Sequence, residues 1–110
     1  MTALTGAAWI LNEKEKYEEA KVFAAVAALL EEKNTDAWRE LGYAEWKLGN
    51  RTDAKKYLVR CRTNDLDAYD YLIAIATELG DTDDAALYKK LKDDAELLKK
   101  FKDFDAKFGK

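Results

Sequence analysis

The sequence contains no histidine, so the general base of Ser-His-Asp and Cys-His catalytic sites and the usual imidazole ligands of zinc are missing. Its single cysteine, Cys61, can form neither an internal disulfide nor a structural zinc site. The five glycines are separated from one another, which excludes a glycine-rich phosphate loop. Adjacent carboxylates such as Asp83 and Asp84 point about 100° apart on a helix and do not converge as a catalytic pair. We therefore expect a protein that is not an enzyme and holds no cofactor or metal ion.

Proline is also absent, and no apolar run is long enough for a membrane span. Without proline, no ring clash interrupts a helix. The first residues, from Met1 to Leu11, lack the basic region that opens a secretory signal. With a cysteine content that suits a reducing compartment, these features predict a cytoplasmic protein that does not associate with membranes.

Charge is abundant but balanced, because 37% of the residues are charged and the formal net charge is −3. Residues 1–88 carry 17 acidic and 11 basic side chains, whereas residues 89–110 carry 5 acidic and 8 basic ones. Nucleic-acid-binding domains usually present a much stronger basic patch than this tail. We therefore expect a protein partner rather than a nucleic acid.

A repeated pattern runs through the chain. Three alanines that end a short polar or acidic stretch, Ala20, Ala54 and Ala85, are spaced by 34 and then 31 residues. A block from Trp38 to Leu48 precedes the second alanine, and a similar block from Tyr69 to Leu79 precedes the third. Both blocks end in Leu-Gly followed by Asn or Asp, a typical helix stop. The pattern predicts paired helices that stack on one another.

Helical periodicity and these stops predict six helices. Thr35 or Asp36 is the expected cap of the third helix. The last helix is longer than the others, and a break at Asp93-Asp94 would divide it into two, so both alternatives stay open. The predicted helices span 2–12, 16–32, 36–48, 51–62, 67–79 and 83–107.

The pattern resembles the tetratricopeptide repeat over about residues 1–92. The large and small positions of that repeat are occupied by Trp38, Leu41, Gly42, Ala54 and Cys61. The resemblance implies an all-α fold, an α-solenoid of three antiparallel helix pairs in a single domain, 1–110. The units would span about 1–34, 35–65 and 66–92, and residues 93–110 would form a long C-terminal capping helix or extension.

In this family the first helix of each unit lines the concave surface. Arg39, Tyr43 and Trp46 follow i, i+4 and i+7 on one helix face, and their residue types are enriched in binding hot spots. Packing between helices is the alternative for Trp9 and Trp46. Further lining residues implied by position include Thr5, Glu13 and Asp67. The predicted partner-binding residues are Trp9, Asn12, Arg39, Tyr43, Trp46, Lys47, Asp70 and Thr77.

One subgroup of the family clamps the acidic C-terminal tail of heat-shock chaperones with Lys and Asn side chains. This sequence has Thr5, Trp9, Glu40, Asp67 and Tyr71 at the corresponding places, so that clamp is absent. We expect instead an amphipathic helix or an extended peptide, held by side chains that enter pockets.

The leading functional hypothesis is a protein-binding module that acts as a chaperone or adaptor. Its size and its three units resemble the small repeat chaperones of type III secretion. The alternative is a self-associating structural or scaffold repeat protein, a natural fragment or a design, that uses its C-terminal helix. In that case Phe101, Phe104 and Phe108 would join two chains as a homodimer, whereas otherwise they would cover the end of the solenoid.

Overall fold

The computed structural model describes the backbone of residues 3–61 and 66–108, and the side chains of residues 3–61 and 66–102. These residues form six α-helices and no strand, which confirms the all-α prediction. Every helix boundary lies within two residues of its predicted position. The helices are α1 (Ala3–Glu13), α2 (Tyr17–Leu30), α3 (Thr35–Lys47), α4 (Arg51–Cys61), α5 (Leu66–Glu78) and α6 (Thr82–Phe108).

Each helix packs against the next one along the chain, and α3 also contacts both α1 and α5. The odd-numbered helices therefore lie side by side with α3 in the middle. Their shared face forms the site described below. None of the helices within the described ranges has both the length and the apolar character that a membrane span requires.

Small residues allow α3 and α4 to approach closely, as the sequence predicts. A Cβ atom on Gly42 would lie 2.6 Å from Cγ of Leu58, so only glycine fits there. Ala54 and Cys61 are fully buried in the same cluster, where the Cys61 thiol donates to the carbonyl oxygen of Leu58 at 3.2 Å. Cys61 is thus a small core residue rather than an exposed reactive thiol.

The helix ends lie at the predicted cap and stop residues, with one correction. The predicted cap of α3 was wrong by one residue, because Asn34, and not Thr35 or Asp36, is the N-cap. Its side-chain oxygen accepts a hydrogen bond from the backbone N–H of Ala37 at 3.2 Å. Gly49 adopts φ of +90° after α3, the left-handed conformation expected from the Gly-Asn stop.

The last helix, α6, is continuous over 27 residues, which settles the alternative of a break at Asp93-Asp94. Lys92 of α6 pairs with Asp70 in the second turn of α5, with 2.6 Å between Nζ and Oδ1. From Leu97 to Lys102 every side chain of α6 is exposed, and we call this part of the helix the α6 extension. Phe101 on this extension is 66% exposed, so it does not cover the end of the molecule. The side chains of Phe104 and Phe108 lie outside the described residues.

Candidate functional site

A cavity of about 160 Å³ lies where α1, α3 and α5 meet. Each helix contributes two residues spaced i and i+4, which places both on one edge of that helix. The pairs are Trp9 and Glu13 from α1, Arg39 and Tyr43 from α3, and Asp67 and Tyr71 from α5, with Asn12 and Glu40 completing the lining.

Four of the eight predicted binding residues line this cavity, and two others lie beside them on α3. Trp9, Asn12, Arg39 and Tyr43 line it directly. Trp46 adjoins the lining because its ring centroid lies 5.9 Å from that of Tyr43. Lys47 lies beside Trp46, with its ammonium nitrogen 4.4 Å from the Trp46 ring centroid.

The other two predicted residues lie elsewhere. Asp70 points toward α6 and forms the ion pair with Lys92. This hydrogen bond raises the pKa of the Lys92 ammonium. Thr77 is exposed, and its hydroxyl donates to the carbonyl oxygen of Ile73 at 2.8 Å. Neither side chain is therefore part of the cavity.

Aromatic rings form a cluster between α3 and α5. The Tyr71 centroid lies 5.2 Å from that of Tyr43 and 5.7 Å from that of Trp46. Trp46 also donates its indole N–H to Oε2 of Glu78 at 2.8 Å. Trp46 is partly buried against the core, so the helix-packing alternative describes its ring. Trp9, by contrast, is 48% exposed at the cavity.

The carboxylate of Glu78 accepts hydrogen bonds from both Trp46 and Arg51. Its Oε2 atom also accepts a hydrogen bond from Nε of Arg51 at 2.8 Å. The hydrogen bond from Arg51, followed by the one from Trp46, lowers the pKa of the Glu78 carboxyl. The orientation of Trp46 thus depends on α4 and α5 as well as on its own helix.

A buried polar network forms one wall of the cavity. Glu40 is 5% exposed and Asn12 is 3% exposed. The amide nitrogen of Asn12 donates to the backbone oxygen of Glu40 at 3.2 Å and to its Oε1 at 3.1 Å. Arg39 donates from Nε to the other carboxylate oxygen of Glu40 at 3.1 Å. Asn12 Oδ1 is buried and accepts no hydrogen bond from any described residue.

The lining carries a net negative charge, since three carboxylates face one guanidinium. Burial and the nearby charges change the pKa values of two tyrosine hydroxyls in the lining. Burial, and then the charges of Asp67 and Glu40, raise the pKa of Tyr71 to about 12. Burial also raises the pKa of Tyr43. Both hydroxyls therefore stay protonated and able to donate at neutral pH.

The sequence prediction placed one buried residue on the binding surface and left out two residues that line the cavity. Thr5 was expected on the surface, but it is fully buried, and its hydroxyl accepts a hydrogen bond from Asn34 at 3.0 Å. Glu40 and Tyr71 were not predicted to bind a partner. The available signal for Tyr71 was its spacing from Asp67, which repeats the spacing of Tyr43 from Arg39.

A second surface, on α2, was not predicted at all. This helix buries four of its five alanines and turns its large apolar side chains outward, with Leu29 reaching 79% exposure. The signal was an apolar run from Val22 to Leu30, longer than one helix face requires. We call this surface the α2 face; it consists of Val22, Phe23, Val26, Leu29 and Leu30.

No family model matches the chain, and neither a curated protein nor a solved structure shows significant similarity to it. Within residues 3–61 and 66–102, no three His, Cys, Asp or Glu side chains are grouped so that they could hold a metal ion.

Proposed function

We propose that the chain is a protein-binding module of the tetratricopeptide-repeat type, in which α1, α3 and α5 form a groove for a segment of another protein. The helix pairs would stack as a three-unit α-solenoid with α6 as its long final helix. The observation that carries this proposal is the common cavity, to which all three odd-numbered helices contribute an i, i+4 pair.

The chemistry of the groove suits recognition rather than catalysis. Trp9 presents a half-exposed ring beside the cavity, and Arg39 lies within it. Tryptophan, tyrosine and arginine contribute most of the binding energy in many protein interfaces. The helices around them hold these side chains in place before a partner arrives, which lowers the entropic cost of binding.

A role as chaperone or adaptor follows from this proposal. A groove built from rigid helices can hold an extended or helical segment without a chemical step. The size of the chain and its three-unit build fit a small chaperone of the type III secretion kind. We place this activity in the cytoplasm, with no cofactor.

A selection from a displayed peptide library on the immobilised protein tests the proposal. Trp9→Ala should weaken the selected peptides by about 2 kcal/mol, as hot-spot truncations do. Its thermal stability should stay near that of the wild type, because Trp9 is 48% exposed. Phe23→Ala on the α2 face is the matched control and should leave peptide affinity unchanged. Peptides that bind both variants as tightly as the wild type would refute a groove at α1, α3 and α5.

A second candidate function, self-association, is supported by the α6 extension. Leu97, Leu98 and Phe101 are all more than half exposed there, close to several lysines. Exposed apolar side chains on an unpaired helix favour contact with another chain. Two chains would pair along this helix as a homodimer.

Sedimentation equilibrium over a wide concentration range distinguishes the two candidates. If α6 joins two chains, the apparent mass should rise with concentration, and Phe101→Asp should abolish the rise. Leu79→Asp, at an exposed apolar position outside the extension, is the matched control and should not affect it. A monomer mass at every concentration would remove this candidate.

A further inference from the structure

The cavity between α1, α3 and α5 has the charge of a cation-binding pocket. Glu13, Glu40 and Asp67 contribute carboxylates, and Arg39 is the cationic lining residue. The guanidinium of Arg39 lies 3.1 Å from Glu40 and 3.5 Å from Asp36, so its charge is already engaged by acidic neighbours. The potential inside the cavity therefore favours a positively charged group over a negative one.

The cavity also has aromatic walls. Trp9, Tyr43 and Tyr71 belong to its lining. Aromatic ring faces attract ammonium and guanidinium groups within about 6 Å of their centroids. Elsewhere in the same chain Lys47 lies 4.4 Å from the Trp46 centroid, and Arg60 lies 4.2 Å from that of Trp38, so this interaction already occurs in the fold.

Asn12 supplies an observation that is independent of the acidic residues. Its side chain is 97% buried at the cavity wall, and its Oδ1 atom has no hydrogen-bond donor among the described residues. A buried acceptor of this kind is normally satisfied by a bound group or a water molecule. Because its amide nitrogen already donates to Glu40, Asn12 can offer only an acceptor to a ligand.

These features exclude some ligands and favour others. A carboxylate brings acceptors only, so it would face the Asn12 oxygen and three like charges, and the two tyrosine hydroxyls would be its neutral donors. An ammonium or a guanidinium brings several donors and no acceptor. The cavity volume of about 160 Å³ is that of a pocket for one long side chain rather than for a whole helix.

We propose that this cavity is a specificity pocket for one basic side chain, lysine or arginine, of the protein segment that the groove binds. The inference rests on the proposed function and adds the chemistry of the anchor residue. The methylene groups of the side chain would pack against Trp9 and Tyr71, and its charged end would donate to Asn12 Oδ1 and the carboxylates.

An NMR titration of the intact chain tests the pocket directly. The probes are N-acetyl-arginine amide and N-acetyl-lysine amide, with N-acetyl-norleucine amide as the uncharged comparator of similar length. Both cationic probes should shift the Trp9 indole and the Asn12 side-chain amide while leaving the indole of Trp38 unchanged. Equal shifts with norleucine amide, or no shift with either cation, would overturn the inference.

Charge-neutralising variants test the contribution of the acids. Glu13→Gln and Asp67→Asn should each weaken the cationic probes by about two- to fivefold, as removal of an exposed ion pair does. Both side chains are exposed, so the fold should persist in each variant. Asp83→Asn, at an exposed carboxylate outside the cavity, is the control and should not change the affinity. Unchanged binding in both cavity variants would contradict an electrostatic pocket.

A further experiment distinguishes a failure of the basic-anchor proposal from a failure of the proposed function. The peptides selected on the groove can be resynthesised with each lysine or arginine replaced by norleucine. If they bind the groove as tightly after the replacement, the basic anchor is wrong while the groove stands. If the cationic amides bind the cavity but no peptide binds the groove, the pocket stands and the proposed function fails.

Discussion

At the scale of single residues, Gly42 links a local sequence feature to the packing of two helices. Its missing side chain lets the backbone of α3 approach Leu58 of α4, which is fully buried. A leucine held on all sides by packed neighbours resists displacement, because protein interiors have few voids. The position therefore has a steric requirement for glycine that helix propensity alone would oppose.

We predict that Gly42→Ala destabilises the fold by about 1–3 kcal/mol, the usual cost of overpacking. Urea denaturation of the purified variant measures this change. The reason can be checked in the double variant with Leu58→Ala, which removes the atoms that the new methyl group would strike. The combined loss should be smaller than the sum of the two single losses. Additive losses would show that Leu58 is not the obstacle.

The pH dependence of stability tests whether Tyr71 is buried at the candidate site. Its pKa is about 12 in the folded chain, against 10.0 for an unperturbed phenol. The folded state therefore holds this proton more tightly than the unfolded state does. The resulting stability is intact below pH 10 and is lost as the pH rises from 10 to 12.

We predict that this loss amounts to about 2–3 kcal/mol for the wild type, at 1.36 kcal/mol per pKa unit. Denaturation series at several alkaline pH values should show a shallower decline for Tyr71→Phe. Parallel declines would mean that Tyr71 titrates like an exposed phenol.

At the scale of helices, the start of α3 connects two parts of the chain. Asn34 caps α3 with its side-chain oxygen, and its amide nitrogen donates to the hydroxyl of Thr5 in α1. One side chain thus satisfies a helix end and joins two elements that are 29 residues apart in sequence.

We predict that Asn34→Ala costs about 1–2 kcal/mol, as the loss of an N-cap does. Asn34→Asp keeps the capping acceptor but removes the donor to Thr5, so it should cost less. Thermal and urea denaturation of both variants give the comparison. Equal losses in Asn34→Asp and Asn34→Ala would show that the bond to Thr5, which both variants lack, dominates over the cap.

The positions of the helices could be predicted because their signals are local. The Leu-Gly stops mark the ends of α3 and α5, and helical periodicity marks what lies between them. The cap of α3 was misplaced because Asn34, Thr35 and Asp36 are all good capping residues. The choice between them depends on Thr5, which approaches only in the folded chain.

The burial of particular side chains could be predicted less well, because it depends on neighbours distant in sequence. Trp46 contacts Tyr71 and Glu78 of α5, and no local pattern in the sequence predicts those contacts. Glu45 is a charged residue, yet it is buried and pairs with Lys21 of α2 at 3.0 Å. This hydrogen bond raises the pKa of Lys21.

The two faces of α2 illustrate the same difficulty for a whole helix. Both its alanine side and its Val, Phe and Leu side are apolar, so periodicity does not decide which one is buried. The close packing of α2 against α1 and α3 selects the small side chains. The large ones then remain on the α2 face, which is a second exposed apolar surface.

At the scale of the whole molecule, two surfaces are candidates for the proposed binding of a partner. The groove of α1, α3 and α5 has a shaped cavity with polar groups in fixed positions. The α2 face is apolar and is formed by one helix. Specific recognition needs placed polar groups as well as apolar contact, which favours the groove.

The most direct measurement is an NMR map of the binding site for a peptide selected on the intact protein. We predict that the largest shifts fall on Trp9, Arg39, Tyr43 and Asp67, and that Val22, Val26 and Leu29 stay unchanged. Shifts that instead follow α2 and leave the groove silent would contradict the central claim and would place partner binding on the α2 face.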